Sequence, residues 1–170
     1  MRKLEIGAKT KRKGWEVLDI IPGEHVDIVA DISKTLPIEE DTYDSIYLSH
    51  VLEHIEWYKT LKTLRELYRI LKVGGRIEIH VPDIDKIIKA YQEKTIPDGW
   101  FKYNRGGNPF LWFAGRLFTY GSQSSDFHKA VFNKEYLREC LERVGFENIK
   151  EVSEKGGVHG YINLGMKADK

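Results

Sequence analysis

The stretch Tyr43-Asp44-Ser45-Ile46-Tyr47-Leu48-Ser49-His50-Val51-Leu52-Glu53-His54, continued by Leu64-Arg65-Glu66-Leu67-Tyr68-Arg69-Ile70-Leu71-Lys72-Val73-Gly74-Gly75-Arg76, decides the fold. Ser45–Leu48 is a short apolar run, the pattern of a buried strand. After Glu56, residues Trp57, Leu61, Leu64, Tyr68 and Leu71 step by four and three, which predicts a helix with one apolar stripe. Gly74 and Gly75 suit the left-handed positions that stop such a helix. Arg76–Val81 then alternates again as a strand. Strand, helix and strand in this order predict a parallel pair joined by a crossover helix.

Working outward, the same alternation continues. Further strands are expected at Lys3–Ile6, Glu16–Ile20, Asp27–Ala30, Asn148–Val152 and Tyr161–Lys167. Asp83 suits the cap of a helix carrying Ile84, Ile87, Ile88 and Tyr91. Asn133 suits the cap of another carrying Tyr136, Leu137, Cys140, Leu141 and Val144, with Gly145 as its stop. The last two strands, joined around Gly156-Gly157, read as an antiparallel hairpin. The chain is therefore expected to be α/β with a mostly parallel sheet, in one domain spanning 1–170.

Between Thr95 and Lys129 the periodicity fails. This segment carries Trp100, Phe101, Tyr103, Phe110, Trp112, Phe113, Phe118, Tyr120 and Phe127 among several glycines. It reads either as a lid or substrate-side insertion, or as a flap that buries its aromatics on the sheet or in a dimer contact.

Composition excludes several classes. Of 170 residues, 41% are hydrophobic and 31% charged, with a net charge of +1. That balance suits a soluble globular domain and argues against a nucleic-acid or acidic-membrane partner. There is no apolar run of about 18 residues to span a membrane. Met1-Arg2-Lys3-Leu4-Glu5 lacks a signal-peptide core. The single cysteine, Cys140, falls on an apolar helix face and reads as a buried structural thiol. A reducing, cytoplasmic setting is expected.

With Leu36-Pro37-Ile38 placed before it, the deciding stretch forms a series of ordered submotifs. It resembles the middle of class I S-adenosylmethionine (SAM)-dependent methyltransferases of the small type 11 kind, whose pattern is roughly LPF, FD, a strand, LEH, a helix and LKPGG. The resemblance implies a Rossmann-like methyltransferase sheet, mostly parallel with an antiparallel C-terminal hairpin. It also implies SAM as cofactor and methyl transfer to a small-molecule acceptor, such as a sugar or another metabolite. The rival reading is a degenerate, non-catalytic module on the same fold, binding SAM or a partner.

Ligands of open α/β sheets sit beyond the carboxyl ends of the strands. Gly7 ends the first strand, where the family has G-x-G; here the loop is Gly7-Ala8-Lys9, and Lys9 offers an ammonium to the cofactor carboxylate. Asp19 ends the second strand, with Ile20 beside it, and suits the ribose hydroxyls. That acid normally lies about 20 residues after the glycine loop. Here the interval is 12 residues, too short for a crossover helix of ordinary length. By resemblance, Asp31 would accept the adenine amino group, Ile32 would pack on the ring, and Ser49, His50 and Val51 would face the methyl group. Asp31 also suits a turn before Ser33.

His128 is the best general-base candidate because its pKa can sit near neutrality, with His50 and Tyr120 toward the acceptor. His50, Glu53 and His54 share one face at i, i+3, i+4 spacing, with His80 and His128 as further possible ligands. A structural turn is the preferred reading of that trio, and no metal is expected.

Overall fold

The computed structural model describes residues 1–96, 107–119, 126–153 and 160–170. The apolar runs form β1 (Lys3–Ile6), β2 (Glu16–Asp19), β3 (Ile28–Val29), β4 (Tyr43–Ser49), β5 (Leu71–Pro82), β6 (Glu147–Val152) and β7 (Asn163–Asp169). They make one sheet in the order β3-β2-β1-β4-β5-β7-β6. β1 to β5 pair in parallel, while β7 runs antiparallel to both β5 and β6. This is the expected mixed sheet with antiparallel C-terminal strands; the Gly156-Gly157 turn lies outside the described residues.

Register sorts the side chains into two faces. Leu4, Ile46 and Ile77 lie side by side, as do Ile6, Leu48 and Ile79. They form the core with two helices, α1 (Thr60–Ile70) and α4 (Lys134–Val144). Asn133 caps α4 through the Tyr136 N–H, and Gly145 ends it at φ +106°, as the sequence predicts. Cys140 is buried in this core.

The opposite face carries Glu5, Tyr47, Glu78 and His80. No helix interrupts residues 7–15, 20–27 or 30–42, so the first crossover is a loop, as the short Gly7–Asp19 interval leads us to expect, and the next two are loops as well. The β1–β2 loop covers part of this face itself. Arg12 pairs with Glu5 at 3.0 Å and lies 4.6 Å above the Tyr47 ring, while Trp15 meets Tyr47 edge-on.

Three expectations need correction. α1 ends at Ile70 rather than at Gly74-Gly75, because Leu71 is already extended and opens β5. Trp57 is off the buried stripe and 65% exposed. It belongs to a 3-10 turn (Trp57–Lys59) whose tighter winding rotates it away, leaving Thr60, Thr63, Leu64, Leu67 and Ile70 buried. The 95–129 segment contains a regular helix, α3 (Pro109–Phe118), capped by Asn108 with Pro109 at its first position. Its sequence, PFLWFAGRLF, is apolar around nearly the whole circumference. Trp112 and Gly115 are buried, but the outer face also carries Phe110, Leu111 and Phe118, with Arg116 as its one charge, so little polar contrast marks the helix in the sequence. α3 packs on α2 (Ile84–Glu93) through a second cluster of Ile87, Ala90, Ile96, Trp112 and Ile162. No helix among the described residues is long and apolar enough to cross a membrane.

Candidate active site

The parallel strands end at a common edge, and a cavity of about 460 Å³ opens there. Gly7, Asp19, Ile20, Asp31, Ile32, His50 and Val51 all line it. Residues from the ends of four strands thus converge as the sequence predicts. Lys9 and Ser49 do not line it. Tyr120 lies outside the described residues.

Gly7 is held where only glycine is comfortable. Its φ is +73°, its N–H donates to the Leu18 carbonyl at 2.9 Å, and an added Cβ would fall on Val51 Cγ2. The floor of the cavity is therefore a backbone surface closed by Val51. Asp19 uses Oδ1 to accept the Ile21 N–H at 2.8 Å. Asp31 Oδ1 accepts the Ser33 N–H at 2.9 Å, and Lys34 stands 3.6 Å from its other oxygen. Burial alone would raise the Asp31 carboxyl, but the bonds from Ser33 and the charge of Lys34 outweigh it and hold the pKa below the ordinary value. The turn bond to Ser33 leaves the Asp31 carboxylate with further acceptor capacity at the cavity. Ile20 and Ile21 stand more than half exposed at the mouth, an apolar ledge that a planar ring would cover.

These residues fit SAM. Two acids at strand tips offer acceptors for hydroxyl and amino hydrogens, Ile20 and Ile32 offer apolar contact, and Gly7 leaves the floor clear.

The other wall was less legible. Lys59, Lys62, Asp126 and Lys129 line the cavity and were not singled out in the sequence. The i, i+3 spacing of Lys59 and Lys62 at the start of α1 was the available signal. The chain leaves β4 through His50, whose φ of +55° is costly for a residue with a Cβ. The His50 N–H donates to the His80 carbonyl at 2.9 Å. His50 Nδ1 donates to Glu53 Oε1 at 3.1 Å, and Nε2 takes the Asn163 amide at 3.1 Å. His50 lines the cavity with both ring nitrogens engaged. His80 belongs to the opposite sheet face, bonded to Glu78 at 2.8 Å and packed against Tyr47.

His128 approaches from the far segment. The N–H groups of Lys129 and Ala130 both donate to the Glu53 carbonyl, at 2.7 and 3.1 Å, and the Trp57 N–H donates to the Lys129 carbonyl. These bonds set the His128 ring 5.0 Å from that of His54. Burial pushes the His128 imidazole below its ordinary pKa, against the pull of the Glu53 carboxylate. His128 is thus beside the cavity wall rather than in its lining.

The comparisons agree with this geometry. The sequence profile of a family described as methyltransferase domain matches residues 7–151. The chain is 26% identical to a demethylmenaquinone methyltransferase of Staphylococcus saprophyticus, over 96% of this chain and 63% of that protein. It is 27% identical to a ubiquinone/menaquinone biosynthesis C-methyltransferase of Klebsiella pneumoniae, over 79% of this chain and 51% of that one. It therefore spans less than two thirds of the length of these curated relatives. Among solved structures, a SAM-dependent methyltransferase from Archaeoglobus fulgidus superposes with a TM-score of 0.61 at 16% identity, covering 99% of this chain and 86% of that one. The chain belongs to the methyltransferase domain family, on the fold of the class I SAM-dependent methyltransferases.

Proposed function

We propose that the cavity binds SAM and that the domain transfers its methyl group to a small aromatic acceptor of the quinol class. The convergence of Gly7, Asp19 and Asp31 on one cavity, in a chain of this family, carries the reading. SAM supplies an electrophilic methyl group on a sulfonium. Asp19 would hold the ribose hydroxyls with the oxygen that Ile21 leaves available. Asp31 would take the adenine amino group, with Ile20 and Ile32 against the ring. Gly7 and Val51 would form the floor beneath the methionine portion, and His50 would set the wall at the end of β4. Positioning is the main contribution such a site makes, and ideal orientation is worth roughly 7–11 kcal/mol.

The quinol preference rests on the names of the two curated relatives, a demethylmenaquinone methyltransferase and a ubiquinone/menaquinone biosynthesis C-methyltransferase. The rival reading, a module that binds SAM or a partner without transfer, is favoured by Lys9 standing outside the cavity where the family has its second glycine.

Calorimetry with SAM and with its demethylated product decides the first step; micromolar binding is expected, and none at millimolar ligand would move the site elsewhere. Transfer of label from methyl-labelled SAM to a reduced demethylated quinone, beside a sugar panel, decides the second. SAM binding without transfer to any acceptor would favour the module reading.

A further inference from the structure

We infer that Glu53, His54 and His128 form a binding site for one first-row divalent cation of the zinc class. Each offers one donor atom, and the three donor atoms lie within 4.8 Å of one another. Two imidazoles and one carboxylate are a ligand set that suits such ions and leaves coordination positions open.

The geometry beyond the three donors supports this. Glu53 is 1% exposed, and its Oε2 has no hydrogen-bond partner. A buried, unpaired carboxylate oxygen is costly, and metal coordination is one of the few ways to satisfy it. Its Oε1 is held by the His50 ring N–H, so the carboxylate is fixed in orientation. His54 Nδ1 donates to the Phe127 carbonyl at 3.3 Å, and His128 Nδ1 donates to the Arg116 carbonyl at 3.1 Å. A carbonyl oxygen accepts only, so Nδ1 bears the hydrogen in both rings and each Nε2 presents a lone pair. Ligating histidines are typically held in this way, by a carbonyl or carboxylate on the other nitrogen. The ladder of bonds between Glu53, Trp57, Lys129 and Ala130 joins the two segments before any ion arrives. In place of the free base that the sequence suggests, His128 becomes a ligand. His50, with both nitrogens engaged, buttresses Glu53 from behind.

His54 also lines the main cavity, so the ion would lie in its wall. Resting on the methyl-transfer reading, its open positions would take water or an oxygen of the acceptor.

The test uses the full chain without a histidine tag, stripped with a chelator and dialysed. Cobalt(II) is titrated while its visible d–d absorption is followed, and zinc(II) is then added in competition. One cobalt per chain, displaced by one zinc, is expected. His54→Ala and Glu53→Gln should each weaken binding by at least about tenfold. Circular dichroism checks each variant; if Glu53→Gln does not fold, the partly exposed His54→Ala decides. No stoichiometric binding, or unchanged binding in the folded variants, overturns the site. Calorimetry of the metal-free protein with demethylated SAM keeps the two readings apart: binding there, with no cobalt uptake, removes the metal site and leaves the cofactor pocket intact.

Discussion

Replacing Gly7 by alanine should damage the pocket floor in two separable ways. The first is backbone strain: at φ +73° a residue with a Cβ is in the left-handed region, at about 1–2 kcal/mol. The second is overlap, because the new methyl would fall on Val51 Cγ2. Val51 is β-branched and stiff at χ1, so relieving the overlap means turning it off its rotamer or moving the backbone, at about 1–3 kcal/mol. Together Gly7→Ala should cost about 2–5 kcal/mol, a large part of a domain stability of about 5–15 kcal/mol. Val51→Ala removes the overlap but not the strain. The double variant should therefore be more stable than the sum of the single effects by about 1–3 kcal/mol, a coupling that a double-mutant cycle reads directly. Urea unfolding with linear extrapolation measures each stability, and calorimetry with demethylated SAM measures the pocket. A Gly7→Ala variant within about 0.5 kcal/mol of the parent would refute the strain argument. Purely additive single effects would refute the overlap.

Asp19→Ala should weaken SAM binding by about 1.5–3 kcal/mol, the scale for losing a charged hydrogen-bond acceptor, and Asp31→Ala by less because adenine keeps its apolar contacts. Parent-like calorimetric affinity in both folded variants would contradict these roles. Glu66 ties the β3–β4 connection to α1, accepting from Arg69 at 2.6 and 3.0 Å and from the Leu36 N–H at 2.7 Å, while Arg69 reaches the Ile38 carbonyl. The Arg69 bond leads in holding the Glu66 pKa below its ordinary value, against the opposing effect of burial and with help from Leu36. A depressed carboxyl stabilises the fold above its unfolded pKa and loses that contribution as pH falls through the folded value. Glu66→Gln should therefore cost about 1 kcal/mol near neutrality, allowing for partial solvent screening, with the gap to the parent closing in acid. Urea midpoints across an acid series check this, and a gap that widens on acidification would reverse the sign.

Much of this protein was legible because its signals are local. A strand shows itself through neighbours two apart, a capped helix through residues three and four apart, and a short crossover through a simple interval. Asp83, Asn133 and Gly145 cap and stop their helices as read, and the Gly7–Asp19 spacing correctly excluded a first crossover helix. The strand-tip residues Gly7, Asp19, Asp31 and His50 were legible for the same reason, since a parallel sheet brings successive strand ends to one edge whatever the loops do. α3 escaped because its outer face is itself largely apolar, with Phe110, Leu111 and Phe118 exposed, so its faces contrast little in polarity. That His128 meets Glu53 and His54, rather than His50 or His80, could be decided only by the tertiary structure. Glu53 and His54 sit on a turn after β4, and His128 arrives from a segment far along the chain, drawn in by two main-chain N–H groups that seek the Glu53 carbonyl. Such backbone bonds carry no side-chain signature, so nothing in the residue pattern says which distant segment will satisfy them. The same holds for Lys9, which the sequence placed beside the cofactor and which packing leaves outside the cavity. Sequence determined which residues reach the edge of the sheet, because periodicity and strand direction act over a few residues. Tertiary structure decided which residues face one another across that edge, because pairing over long separations depends on how the whole chain closes its buried hydrogen bonds.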